Sequence, residues 1–257
     1  MTPADDLRTL NAQTAGGWSR WRRGWRLGAV VVAGTLLVAA IGAGVTASPI
    51  FGAKTIRIQG ADHLSRGDVL RLAGVGTGTN VFYLDTGDVA RRLEGDVWIA
   101  GVTVAKDLPS TLVIDVRERV AVAVMGSKGQ RVLVADDGTR LGDAGSGGLL
   151  PSIGRAGAPP PSAQDVSGAA RTIAALRPDT RRQVAHVSIL PDGSLLVRLS
   201  NGAVVTWGTA DELDAKAAAL AALLRWAQKQ GSHLTAADVH VPSNPTAEVA
   251  QGLAPLP

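Results

Sequence analysis

One stretch without charge constrains what this chain can fold into more than any other feature. No Asp, Glu, Lys or Arg occurs between Leu27 and Ala53, and the 22 residues Leu27–Ser48 are almost entirely apolar. A helix needs roughly 20 such residues to cross the hydrocarbon core of a bilayer. The sequence therefore predicts a transmembrane helix over residues 27–48.

The residues just before this stretch predict its orientation. Arginines and tryptophans alternate there, at Trp18, Arg20, Trp21, Arg22, Arg23, Trp25 and Arg26. Tryptophan favours the headgroup level of a bilayer, and basic residues favour the cytoplasmic side. We therefore expect residues 1–26 to form a cytoplasmic tail and the chain from Lys54 onward to lie outside the membrane.

Three other interpretations of the apolar stretch remain open. A cleaved signal peptide also has a basic start, but its apolar segment is usually about 7–15 residues long. The pair Arg22-Arg23 resembles a twin-arginine signal, although the apolar tract behind it is long. A buried helix of a soluble domain would rarely avoid charge over so many positions. The sequence favours a membrane anchor over all three.

Charge and composition exclude several classes of protein. The chain has 26 basic and 22 acidic residues, but from Lys54 onward the balance is 21 to 20, without a dense basic cluster. A nucleic-acid-binding surface needs clustered basic residues, so we expect none. The chain has no cysteine, which excludes disulfides and thiolate metal sites. A hydrophobic content of 46% indicates a folded body.

The first part of that body has the pattern of a small α+β unit. Residues Thr55–Gln59 alternate as a half-buried strand does, and Ser65 can cap a helix. A second helix is predicted from Asp85 or Thr86. Two strands follow at Ile99–Lys106 and Thr111–Arg117, joined by a turn at Leu108-Pro109-Ser110. The predicted order is strand, helix, helix, strand, strand.

The second part has more strands. Its predicted elements are strands at Ala121–Met125, Arg131–Ala135 and Thr139–Leu141, a Gly/Pro-rich loop over Gly142–Pro161, a helix over Ser162–Leu176, strands at Val184–Leu190, Ser194–Leu199 and Ala203–Trp207, a long helix from Asp211, and a last strand at Asp238–Val241. The turns Asp192-Gly193 and Asn201-Gly202 are strong hairpin signals. Trp207 and Trp226 are expected in the core.

These patterns together resemble a known family. The matching segments are Ile56–Gly60, Asn80–Asp85, Trp98–Val104, Leu108–Arg119, Val132–Gly138, Leu150-Pro151 and Asp192–Gly208, with Lys216 and Leu220 in the long helix. Residues 54–125 resemble a POTRA domain, and the whole layout resembles the bacterial division family FtsQ/DivIB. Val120 departs from the family, which usually has proline there.

The resemblance implies an α+β fold with five parts. They are a cytoplasmic tail (1–26), a transmembrane helix (27–48), a POTRA domain of order β-α-α-β-β (54–122), a mixed β domain with packed helices (123–242) and a flexible C-terminal tail (243–257). It also implies a plasma-membrane protein at the division septum, recruited there with the help of the POTRA domain.

The residues do not form a recognisable catalytic or cofactor site. The candidates considered and set aside are His63, His186, His233, His240, Ser146, the glycines of Gly74–Gly78, Asp136-Asp137, and Asp211 with Asp214. The histidines do not have the sequence spacing of metal ligands, and the glycines do not have the spacing of a dinucleotide-binding loop. We expect no enzyme activity, metal, cofactor or small-molecule substrate.

A protein of this kind would work by binding other proteins. The resemblance implies that it holds small single-span division proteins of the FtsB/FtsL type outside the membrane, with a septal wall synthase complex as a further candidate partner. An exposed strand edge can accept a partner strand by β-augmentation. The family places that edge at the last strand, which predicts partner-binding residues Asp238, Val239, His240, Val241, Thr246, Ala247 and Val249.

Two alternatives compete with this interpretation. Val239 and Val241 could simply face the core, and a proline at His240 is expected to distinguish the cases by removing an edge donor. The second alternative is a different class of function, in which the chain is an anchored POTRA protein that assists export or envelope assembly. It is disfavoured because the chain shows no second POTRA unit and no barrel-like pattern of long alternating strands.

Overall fold

The computed structural model describes residues 17–46, 48–127, 130–145, 150–155 and 160–250. Its first elements are helix α1 (Gly17–Thr46), a 3₁₀ turn (Pro49–Phe51), strand β1 (Thr55–Gln59), helices α2 (Arg66–Ala73) and α3 (Thr86–Glu94), and strands β2 (Ile99–Asp107) and β3 (Thr111–Glu118). The order β-α-α-β-β confirms the predicted fold class and its POTRA-like first domain.

The described residues of the second domain form nine strands and three helices. They are β4 (Ala121–Ser127), β5 (Gln130–Ala135), β6 (Arg140–Asp143), β7 (Ser152–Arg155), α4 (Ala163–Ala175), α5 (Pro178–Arg181), β8 (Val184–Ile189), β9 (Leu195–Leu199), β10 (Val204–Gly208), α6 (Leu213–Lys229), β11 (His233–Asp238) and β12 (Thr246–Ala250).

Helix α1 is apolar where its side chains are described. An 18-residue part, Ala29–Thr46, is long and apolar enough to cross a membrane, and none of it is buried in the protein. This is consistent with the predicted anchor. The helix ends at Thr46, two residues before the predicted limit, and Ser48 caps the 3₁₀ turn that follows. Residues 1–16 lie outside the described residues, as do the side chains of the four arginines, Arg20, Arg22, Arg23 and Arg26.

The first domain packs two short helices on a three-stranded sheet of order β1-β3-β2. Its helices begin where the sequence predicts, because Ser65 and Asp85 accept backbone N–H bonds at the two N-termini. Helix α2 ends at Gly74, whose φ of 64° is the left-handed conformation that glycine adopts freely. The buried core includes Val69, Val89, Leu93, Ile99, Leu112, Ile114 and Val116.

The second domain is one mixed sheet covered by helices. Its strand order is β12-β11-β10-β9-β8-β7-β4-β5-β6. The core beneath α4 and α6 includes Ile173, Val187, Val197, Val205, Trp207 and Leu220. Trp207 is fully buried as predicted, whereas Trp226 is 44% exposed and the prediction of a core position is wrong.

Three predicted boundaries change in the structure. Strand β4 starts at Ala121 and pairs with β5, so Ala121 and Val122 belong to the second sheet. The predicted loop 142–161 contains β7, which lies parallel between β4 and β8; residues 146–149, with Ser146, and 156–159 are outside the described residues. The predicted flexible tail contains β12, which pairs with β11.

Candidate functional site

The candidate site is the β11–β12 hairpin at one end of the large sheet. Strand β11 lies parallel to β10, and β12 lies antiparallel to β11 with Asp238 opposite Thr246 and Ala237 opposite Ala247. Strand β12 is last in the sheet order, and within the described residues no strand pairs with its outer side. This side is an open edge with unpaired backbone groups.

Side chains hold β12 against the domain. Ala247 and Val249 are partly buried and pack on the core, while Thr246 and Glu248 are exposed. The alternation is that of a strand with one face on the core. The edge is therefore a fixed part of the sheet, and Glu248 is the one charged residue on it.

The turn before β12 replaces most of the strand that the sequence predicts at Asp238–Val241. Strand β11 ends at Asp238, so residues 239–241 do not extend it. The Val239 amide donates to the Thr206 carbonyl (3.0 Å), and the His240 amide donates to the Asp238 carboxylate (2.8 Å). The amide of His240 is therefore a turn donor and not a free edge donor. Pro245 precedes the strand and sets where it starts.

The predicted partner-binding residues fall into two groups. Thr246, Ala247 and Val249 lie on the open edge strand. Val239 is fully buried and faces the core, so it is inaccessible to a partner, while Val241 is 52% exposed in the turn. The His240 ring lies against the backbone of Gly208, where a Cβ would come within 2.0 Å of Nδ1. Glu248 and Ala250 also belong to the edge and were missed, because the sequence places a flexible tail here.

A buried lysine fixes the connection between β10 and α6, next to the candidate site. The Lys216 side chain is only 1% exposed, and its Nζ donates to the Thr209 carbonyl at 2.9 Å and to the Asp211 carboxylate at 2.5 Å. The bond from Lys216, with a second from Thr209, lowers the pKa of Asp211. Glu212, between these partners, has a φ of 43°. A buried lysine needs such a partner, which single-sequence patterns do not reveal.

A second polar cluster joins the two domains. Arg119 donates to the Val97 and Ile99 carbonyls at 2.9 and 2.6 Å, and its Nε contacts Asp137 of the β5–β6 turn at 2.7 Å. Burial of Asp137 opposes its ionisation, but the bonds from Arg119 and Thr139 outweigh this and hold its pKa below 3.8. The domains are thus linked by a charged contact as well as by the chain.

The other residues considered for chemistry have structural surroundings. His63 stacks on Trp98 at 3.6 Å, and His186 Nδ1 lies 2.7 Å from the Ser152 hydroxyl, which adds a contact that sequence reasoning missed. Burial, with the nearby Arg198, lowers the pKa of His186. Within the described ranges, no three His, Asp or Glu residues are grouped as a metal site would require.

Comparison with family models identifies both domains. The POTRA domain model of the FtsQ type matches residues 51–119, and the model of the FtsQ/DivIB C-terminal region matches residues 123–240. The chain belongs to the FtsQ/DivIB cell division family. The C-terminal match ends before β12, so the candidate edge lies just beyond it.

Individual relatives agree with this assignment. Cell division protein FtsQ of Mycolicibacterium smegmatis is 32% identical over 190 residues, which cover 74% of this chain and 57% of the relative. FtsQ of Mycobacterium tuberculosis is 32% identical over 206 residues, 79% of this chain and 65% of the relative. The chain thus spans under two thirds of the length of these relatives.

A solved structure is also similar. It is the major extracytoplasmic domain of the trans isomer of the cell division protein DivIB from Geobacillus stearothermophilus. The TM-score is 0.34 at 13% identity, and the match covers 44% of this chain and 96% of that one.

Proposed function

We propose that this protein is a non-enzymatic, membrane-anchored scaffold of the division machinery. It holds small single-span division proteins of the FtsB/FtsL type outside the membrane at the septum, by accepting a partner strand on β12. The observation that carries the proposal is the open outer side of β12, in a chain of the FtsQ/DivIB family with an apolar N-terminal helix.

An edge strand offers a partner two kinds of contact. Its outward N–H and C=O groups form a ladder with an incoming strand, and alternate side chains on each face select the sequence of that strand. Here the exposed Glu248 would lie on one face, between Thr246 and Ala250. Because opposite charges across strands are favourable, we expect a basic residue opposite Glu248 in the partner.

The opposite edge of the large sheet is a poorer acceptor. The opposite edge of the large sheet, β6, has four residues and contains Gly142 at a φ of 137°. Glycine weakens a strand and does not pack against a partner. Strand β12 is longer, and two of its side chains already fix it on the core. An incoming strand would therefore meet a preformed edge at β12.

The proposed orientation follows from the basic N-terminal flank. Arg20, Arg22, Arg23 and Arg26 precede the apolar part of α1, and basic residues remain on the cytoplasmic side. Both folded domains then lie outside, with β12 available to the outer segments of other membrane proteins.

The edge mechanism is tested by single prolines at adjacent positions of β12. In an antiparallel ladder, neighbouring residues direct their amides alternately towards and away from the paired strand. One of Ala247→Pro and Glu248→Pro therefore removes an amide bonded to β11, and the other removes an outward amide. Hydrogen exchange of β11 in the full-length protein identifies the variant that keeps the hairpin.

Capture of partners then decides the mechanism. We expect the variant with a protected β11 to lose co-purification with single-span division proteins from dividing cells. Retained capture by that variant would rule out strand addition at β12. Thr103→Pro, on the edge strand β2 of the first domain, is the matched control and should leave capture unchanged.

The septal role is tested separately by a fluorescent protein fused to the N-terminus of the chain. A band at the division plane is the expected result. An even distribution round the envelope would contradict a division scaffold and favour a role in export or envelope maintenance.

A further inference from the structure

The outer end of α1 is bonded to the POTRA domain. The Asn80 side-chain amide donates to the Thr46 carbonyl at 2.8 Å, and the Tyr83 hydroxyl contacts the Thr46 hydroxyl. Thr46 is the last residue of the helix. The segment that leaves the helix also pairs with this loop, because Gly52 forms a bridge with Asn80 and the Val81 amide donates to the Phe51 carbonyl at 2.8 Å.

The loop that makes these contacts is internally ordered. The Asn80 carboxamide oxygen accepts the amides of Phe82 (2.9 Å) and Tyr83 (3.3 Å). Lys106 of β2 donates to the Phe82 carbonyl at 2.9 Å. The loop is thus fixed both to the helix end and to the sheet.

Apolar side chains are exposed around this junction. We call Ile50, Phe51, Phe82 and Tyr83 the juxtamembrane patch. The Phe51 and Phe82 rings are 5.4 Å apart and the Phe82 and Tyr83 rings 5.2 Å apart. Ile50 is 57% exposed, Phe82 41% and Tyr83 61%. Large apolar groups with this much exposure, grouped on one end of a small domain, indicate a surface that is covered.

The length of the span sets the level at which this patch lies. The charge-free part of the helix runs from Leu27, after Arg26, to Thr46, and its length of roughly 30 Å at 1.5 Å per residue matches the thickness of a hydrocarbon core. Thr46 therefore lies at the boundary between hydrocarbon and headgroups. Tyr83 contacts Thr46 directly, so its ring lies at the same level. Tyrosine is typical of this layer because its ring is apolar and its hydroxyl is polar.

We infer that the juxtamembrane patch inserts into the outer headgroup layer and fixes the POTRA domain against the bilayer surface. The inference rests on the membrane anchoring in the proposed function. Its occupant is lipid, because the patch is continuous with a helix whose large apolar side chains, from Val30 to Val45, are exposed. The domain would then lie on the membrane in one orientation, without freedom to rotate about a linker.

The absence of cysteine gives a direct test, since single-cysteine variants can carry one nitroxide label each. The full-length chain is labelled at Ile50→Cys or Phe82→Cys and reconstituted in vesicles of phosphatidylethanolamine and phosphatidylglycerol. Collision with oxygen, which concentrates in lipid, is compared with collision with a water-soluble nickel chelate. Val97→Cys is the matched control, because Val97 is 48% exposed and lies at the opposite end of the domain, next to Arg119. Val38→Cys, in the middle of the apolar span, is the reference for lipid.

We expect the oxygen-to-nickel ratio at positions 50 and 82 to be several-fold higher than at position 97 and lower than at position 38. Ratios at 50 and 82 equal to that at 97, with position 38 immersed, would overturn the inference and leave the anchor intact. A ratio at position 38 equal to that at 97 would overturn the anchor itself. If position 82 is shielded from the nickel chelate only after a division protein is added, the patch binds protein and not lipid, and the inference is overturned.

Discussion

The two folded domains differ in how their ends are connected. The POTRA domain is bonded at one end to α1 through Asn80 and at the other to the second domain through Arg119. The second domain is bonded at its near end and presents β12 as an open edge. In the function proposed above, the first domain acts as a spacer between the helix and the second domain, and the second domain carries the binding surface.

The cores should test whether the two domains unfold independently. Trp207→Ala removes a fully buried indole from the second domain, and Leu93→Ala removes a fully buried side chain from the first. We expect the free energy of unfolding to fall by about 3–5 kcal/mol for Trp207→Ala and by about 2–5 kcal/mol for Leu93→Ala, because each substitution leaves a cavity. Hydrogen exchange resolved by segment should show each loss in its own domain. A loss that spreads equally to both domains would contradict their independence.

The contact between the domains should contribute less to the free energy of unfolding than a large side chain in either core. Arg119→Met removes the hydrogen bonds to two carbonyls and to Asp137. We expect the free energy of unfolding to fall by about 1–3 kcal/mol, and amide hydrogen exchange around Val97 and Ile99 to become faster. The matched control is Arg117→Met, two residues earlier on an exposed position of β3. It should change stability by less than about 0.5 kcal/mol. Equal losses of stability in the two variants would contradict the conclusion that Arg119 links the two domains.

The smallest expected effect is a pH dependence of the same contact. Because the folded pKa of Asp137 lies below 3.8, its contribution to stability is fully present above the unfolded value near 4 and is lost as the pH falls through the folded value. Asp137→Asn should therefore cost at most about 1 kcal/mol at pH 7, since the side chain is 45% exposed, and less at an acidic pH below the unfolded value.

Denaturant unfolding of the full chain in detergent at the two pH values measures this difference. Asp136→Asn, which changes the adjacent exposed carboxylate, is the control. A difference between Asp137→Asn and the unchanged chain that persists at low pH would show that the ion pair is not its source.

The first domain was predicted almost to the residue because its signals are local. Ser65 and Asp85 cap helices, Gly74 ends one, and the alternation of Thr55–Gln59 defines β1. The hairpins of the second domain were equally clear, because Asp192-Gly193 and Asn201-Gly202 define their own turns. Strand β7 was missed because four residues in a Gly/Pro-rich segment carry little pattern, and it forms only between two parallel neighbours.

The candidate site shows the same limit. The family resemblance predicts the edge at the last strand, which the sequence places at Asp238–Val241 and also at Thr246–Val249. In the structure, the strand that pairs with β11 is Thr246–Ala250. Val239 is a core residue, which is the alternative that the sequence left open, and the His240 amide is used within the turn. Which amide is free depends on the register of the sheet, and register is a property of two strands together.

The sequence by itself determined the apolar span, its basic flank, the order of most elements and the family resemblance, because each depends on neighbouring residues or on composition. The tertiary structure decided which strand closes the sheet, which charges meet across the domains, and how Asn80 and Tyr83 contact the end of helix α1. Those contacts join residues far apart in the chain, and only the packed fold brings them within bonding distance.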